Sequence, residues 1–161
     1  MNTTIVDVAD IQFSSNPKDI LEIPSLGSCV CFLIFDPNVK IGGAVVYVLP
    51  NSDEVQHPQL EKQPCMFADT AIINFLQAAM EAGIRPERSK RVIVGGGQVL
   101  GQMGDFDLGS RNSQAAMEIL AKLELKPTHQ SLGGILNRNA ALHIRTGMVH
   151  ISVAGEEIEQ L

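Results

Sequence analysis

Between Pro24 and Pro50 the chain carries two apolar runs, Cys29 to Phe35 and Gly43 to Leu49, separated by Asp36-Pro37-Asn38. The spacer is a turn signal, because Asp and Asn bond their own backbone and Pro pre-sets φ. Neither run alternates apolar with polar residues, which is the pattern of strands covered on both faces. A hairpin buried on both sides demands layers above and below it, and that requirement constrains the fold more than any other stretch. At its entrance, Leu26-Gly27-Ser28 leads into Cys29, so a thiol stands where a tight turn becomes a strand. Such a position suits a nucleophile.

The residues around this hairpin resemble the signature of the CheD family, bacterial chemotaxis proteins that deamidate glutamines on chemoreceptors. The resemblance is carried by Leu26-Gly27-Ser28-Cys29-Val30, Phe35-Asp36-Pro37, Gly42-Gly43 and Leu49-Pro50. It continues through Phe67-Ala68-Asp69-Thr70-Ala71, Gly95-Gly96-Gly97, Leu108-Gly109-Ser110-Arg111-Asn112, Leu132-Gly133-Gly134 and Arg145-Thr146-Gly147, covering nearly the whole chain. The family's catalytic set is a cysteine nucleophile, a histidine base and a supporting threonine. Here the cysteine falls on Cys29. The histidine, third after the Gly-Gly pair and four before the Leu-Pro proline, falls on Val46, and the threonine, six before the cysteine, on Ile23. The resemblance thus implies a deamidase scaffold with two of its three catalytic positions aliphatic. It further implies a groove made by Gly27, Ser28, Val46, Gly95, Gly96, Gly97, Arg111 and Asn112. Its partners would be chemoreceptor cytoplasmic helices or a CheC-like phosphatase.

With 161 residues, 45% hydrophobic and 19% charged, the expectation is one domain over residues 1–161 that buries about two thirds of its unfolded surface. A net charge of -6 argues against nucleic acid, whose backbone needs clustered cations. No apolar run approaches a membrane span, and Met1-Asn2-Thr3-Thr4 does not open a signal peptide, so a cytoplasmic protein without membrane insertion is expected. Cys29, Cys31 and Cys65 read as reduced thiols. With His57 they form an unconvincing zinc set, because Cys-x-Cys is too narrow for a structural site. No metal or other cofactor is expected.

Along the chain, Val6 to Phe13 reads as an opening strand and Ile20 to Ile23 as a short extended run. Asn51 to Pro64 reads as a surface loop holding His57, a solvated side chain before it is a catalytic one. Ile72, Phe75, Leu76, Ala79, Met80 and Gly83 mark one face of a helix from Phe67 to Gly83, and Arg91 to Val94 a buried strand. The three glycines after it permit positive φ or close backbone approach, without the spacing of a phosphate loop. Gln98 to Leu108 is a loop, Ser110 or Asn112 a cap, and Ala116, Ile119, Leu120 and Leu123 the inward face of a second helix. A further strand is expected from Thr128 to Leu132. At the end, Thr146-Gly147 as a two-residue turn predicts Ile144 opposite Val149, Leu142 opposite Ile151 and His143 opposite His150. Leu142, Ile144, Val149, Ile151 and Val153 then face the core. The paired histidines read first as solvated surface, second as a metal site or pH switch.

Mixed strands with two helices and few βαβ units point to an α+β layered sandwich, in agreement with the CheD resemblance. Two functions of different class follow. One is an enzyme in which Cys29 attacks a glutamine amide through a thioester, with backbone N–H groups holding the oxyanion. The other, favoured here, is a binding module that recognises a receptor or phosphatase without chemistry.

Overall fold

A computed structural model describes residues 2–54, 63–98 and 107–161. Among these residues two five-stranded mixed sheets stack on each other, and two helices cover the outer face of one of them. The first sheet has the order β1 (Asn2–Ile5), β3 (Asp19–Leu26), β8 (Arg138–His143), β9 (Val149–Val153), β10 (Glu156–Gln160). In the second the order is β2 (Ile11–Ser14), β5 (Ile41–Tyr47), β4 (Val30–Asp36), β6 (Lys90–Gly95), β7 (His129–Leu132). This is the expected α+β sandwich, in three layers.

The organising hairpin is the centre of the second sheet, with β4 paired to both β5 and β6. Every residue of β4 is buried, because its alternate side chains enter two cores. Cys31, Leu33 and Phe35 face the first sheet with Ala44, Val46, Ile23, Leu142 and Ile151. Val30, Phe32 and Ile34 face the helices with Val45, Tyr47, Ile72, Phe75 and Leu120. The Asp36 turn forms as expected: Asn38 N–H donates to Asp36 Oδ1 at 2.9 Å and Lys40 N–H to Asp36 O at 2.8 Å.

Helix α1 (Ala68–Glu81) buries Ala68, Ala71, Ile72, Phe75, Leu76 and Ala79, an unbroken i, i+3, i+4 stripe. It ends in a Schellman motif. Ile84 N–H reaches Ala79 O at 3.0 Å and Gly83 N–H reaches Met80 O at 3.1 Å, with Gly83 at φ 101°. Helix α2 (Leu108–Lys122) buries Ala116 and Leu120.

Several expectations are corrected. Val6 to Phe13 is not one strand: Ala9 turns back at φ 63° between β1 and β2, so the two strands join different sheets. Neither Ser110 nor Asn112 caps α2, which begins at Leu108 after Asp107; both lie inside it. Met80 and Leu123 are exposed at 55% and 40%, lining an open groove with Ile73 and Pro86 instead of entering the core. The terminal hairpin has a longer loop. Gly147 N–H and Thr146 N–H both close on His143 O, and His143 N–H donates to Met148 O at 3.0 Å. The pairs are therefore Leu142 with Val149 and Ala141 with His150. Because the slip is even, the same side chains still face the core, although Val153 is only half-buried.

Candidate functional site

The approach to Cys29 is irregular for a local reason. β3 bulges against β8 between Ile23 and Leu26, Ser25 sits at φ 58°, and Gly27 N–H turns back to Ser25 O at 3.1 Å. The chain thus leaves the first sheet and enters the second at Val30, with Cys29 half-buried at the crossing. Its own carbonyl and the two before it are all tied down. Gly27 O accepts from Gly97 N–H at 2.8 Å, Ser28 O from Asn112 Nδ2 at 2.9 Å and Cys29 O from Gly96 N–H at 2.9 Å.

The glycines earn their place through this contact. Gly95 lies at φ 121°, and a Cβ there would come within 2.2 Å of Cys29 O; Gly96 lies at φ 64° with a Cβ position 1.9 Å from Ser113 Oγ. Only a residue without a side chain fits either position. Gly95, Gly96 and Gly97 are thus brought against Gly27, Ser28 and Cys29, and the N-terminal half of α2 closes over them. Residues 99–106 of the loop before α2, and His57, lie outside the described residues.

Asn112 is fully buried and donates twice, to Ser28 O and to Val48 O at 2.7 Å. It therefore ties the entry of β4 to the exit of β5. Tyr47, the chain's single tyrosine, donates its hydroxyl to Asn112 O at 2.6 Å, and burial pushes its pKa up. Among the described residues the buried Asn112 Oδ1 has no hydrogen-bond partner, a cost of about 1–3 kcal/mol. Arg111 lines a groove with Pro50, Asn51, Asp69 and Glu118.

Val46 is 2% and Ile23 1% exposed, both in the inter-sheet core against which Cys29 packs. Val46 pairs with Cys31 rather than Cys29, which makes it a diagonal neighbour of Cys29 on the same face. Burial raises the Cys29 thiol above its ordinary value, and its own backbone N–H offsets part of that. Cys31, wholly enclosed, is pushed much further up. Among the described residues no three His, Cys, Asp or Glu side chains are arranged to hold a metal ion, and no helix is long and apolar enough to cross a membrane.

Two buried polar residues that tie the layers together were not singled out by the sequence. Tyr47 read as one more residue of a β run. Arg138, on β8 and 5% exposed, donates Nε to Ser131 Oγ at 3.0 Å and Nη1 to Gly133 O at 2.8 Å, bridging the sheets beneath the glycine loop. Its signal was its parity: Arg138 shares the face of Ala140 and Leu142, where a charge has to find partners.

A family model described as CheD chemotactic sensory transduction matches residues 48–153. A probable chemoreceptor glutamine deamidase of Syntrophus aciditrophicus is 32% identical over 161 residues, spanning 100% of both chains. The chain belongs to the CheD family. Proteins of the same description from Solibacter usitatus, 31% identical over 99% of this chain and 94% of theirs, and Methanococcus maripaludis, 30% identical over 94% of this chain and 95% of theirs, agree. The residues matched to the CheD model include Gly95 to Gly97 and Asn112, and begin two residues after Val46.

Proposed function

We propose that this CheD-family chain is a cytoplasmic chemotaxis protein that binds chemoreceptors through the Cys29 turn without turning their glutamines over. The observation that carries this reading is the pairing of a firmly built turn with an unassisted thiol. Three consecutive carbonyls are pinned around Cys29, while Val46 and Ile23 offer no proton acceptor and the thiol's own pKa is raised. A thiol so placed is almost entirely neutral at pH 7, and the two positions beside it give the leaving ammonia no donor; loss of such a general acid-base typically costs about 10²- to 10⁴-fold. The groove elements Gly27, Ser28 and Gly95 to Gly97 would then serve recognition, of a receptor helix or of a CheC-like phosphatase on the same face.

Calorimetric titration with a receptor cytoplasmic fragment, followed by mass spectrometry of its modification sites, tests the reading. Saturable binding with every glutamine retained is expected. Conversion of glutamine to glutamate that stops in Cys29→Ala overturns it in favour of an active deamidase with a base from elsewhere in the chain, such as His57, or from the partner.

A further inference from the structure

The peptide between Ser28 and Cys29 is trans, as are all the described peptides, so its C=O and N–H point in opposite directions. Its carbonyl is held by Asn112 Nδ2 at 2.9 Å. The direction of the Cys29 N–H is therefore set from behind, by a side chain on α2. Among the described residues that N–H has no backbone acceptor, and it opposes in part the rise that burial imposes on the thiol's pKa. The neighbouring Ser28 N–H is set in the same way by Gly97 N–H on Gly27 O.

We propose that Asn112 is a positioning residue for the Cys29 site: by holding the Ser28 carbonyl it fixes the Cys29 N–H as the donor for the side-chain carboxamide oxygen of a bound glutamine. The ligand in this statement rests on the reading of the Cys29 turn as the receptor-glutamine site. An isosteric apolar residue would avoid burying the Asn112 Oδ1, which has no partner among the described residues, so what the residue supplies is its pair of N–H donors, aimed at Ser28 O and Val48 O. A simple helix-to-sheet tie exists beside it. Tyr47 hydroxyl joins β5 to the Asn112 carbonyl without touching the Ser28–Cys29 peptide, and it provides the control.

The experiment is alkylation of the full chain by iodoacetamide across the pH range in which a thiol titrates. It is read at Cys29 by peptide mass spectrometry, so that Cys31 and Cys65 do not contribute, and each variant's thermal melting is recorded. Asn112→Ala is expected to raise the apparent Cys29 pKa and slow alkylation at neutral pH about threefold or more. Tyr47→Phe is expected to lower the melting temperature and leave the Cys29 profile in place. Where Asn112→Ala does not fold, Asn112→Ser retains one donor and is expected to lie between it and the parent. An unchanged or lowered Cys29 pKa in the folded Asn112 variant, or an equal change in Tyr47→Phe, overturns the proposal. Receptor binding is a separate reading: failure of the unaltered chain to bind a glutamine-bearing fragment removes the assigned ligand, while the alkylation profile alone decides the role of Asn112.

Discussion

Arg88 grips the fully buried carboxylate of Asp36, with Nε 3.0 Å from both oxygens and Nη2 2.9 Å from Oδ2. Arg85 N–H and Asn38 N–H donate to the same group at 2.9 Å. Burial alone would raise the Asp36 pKa, but the Arg88 bonds, then the two backbone donors, outweigh it and hold it below the ordinary 3.8. A carboxyl with a depressed folded pKa contributes stability above its unfolded pKa and loses it as pH falls through the folded one. Acid unfolding is therefore expected to steepen below about pH 4. Arg88→Leu should cost about 2–3 kcal/mol at neutral pH by leaving a buried carboxylate underpaired, and should flatten that acid limb. Denaturant melts at two pH values check both.

At the surface of the first sheet the His143 and His150 rings lie 4.4 Å apart, and His150 Nδ1 is 2.5 Å from Glu157 Oε1. Desolvation lowers the His143 pKa first and the His150 ring adds to it, while Glu157 and Glu22 oppose without reversing it. The folded value thus lies below the unfolded 6.5. Protonation favours the unfolded chain, and stability complete above that value declines as pH drops beneath it. His143→Gln is expected to lessen the loss of melting temperature between neutral pH and the mid-acid range. An NMR titration placing His143 above a free histidine would contradict it.

Strand identity was legible wherever burial on both faces wrote itself into unbroken apolar runs, as in Cys29 to Phe35. Register was not, because the four-residue loop after His143 is set by backbone bonds to His143 O that no composition announces. Faces survived the error since the slip was even. At the site, the glycines after β6 announced a close approach, and the structure supplies its object, the Cys29 carbonyl. Asn112 was visible as a candidate cap and, through the CheD resemblance, as a groove residue, but not as a tie between strands. Its two acceptors, Ser28 O and Val48 O, are 84 and 64 residues away, and such long-range pairing leaves no local trace.

Gly96 illustrates why the groove is rigid. Its φ of 64° and the 1.9 Å approach to Ser113 Oγ mean that Gly96→Ala combines left-handed strain with overpacking, about 3 kcal/mol together. Because Gly96 N–H holds Cys29 O, the cysteine turn should loosen as well. Any larger residue at 96 therefore perturbs the fold before it tests a surface. Ser110→Arg, exposed beside Gly96 in the same groove, is the cleaner probe: it should weaken receptor-fragment binding while the melting temperature holds. Unchanged affinity would place the contact elsewhere.

The decisive chemical test restores the two aliphatic positions. Val46 stands across from Cys31 and so diagonally to Cys29, where Cβ atoms are separated by about 7–8 Å or less, within reach of an imidazole. At 2% exposure a histidine there would be held neutral by burial, the form needed to accept the thiol proton and return it to the leaving ammonia. Ile23→Thr, in the same core, would offer a hydroxyl to orient that ring. The exchange is costly, about 1–3 kcal/mol for the larger side chain at 46 and a comparable amount for burying a hydroxyl at 23. Melting must therefore be followed in parallel. The unaltered chain is expected to leave receptor glutamines intact, and the double variant to convert them about 10²- to 10⁴-fold faster than that background, with activity lost again in Cys29→Ala. Cys29 should also alkylate with a lower apparent pKa once an imidazole stands beside it. If the unaltered chain already converts glutamine as fast as the double variant, a base outside position 46 serves Cys29, and the aliphatic pair is no obstacle to catalysis.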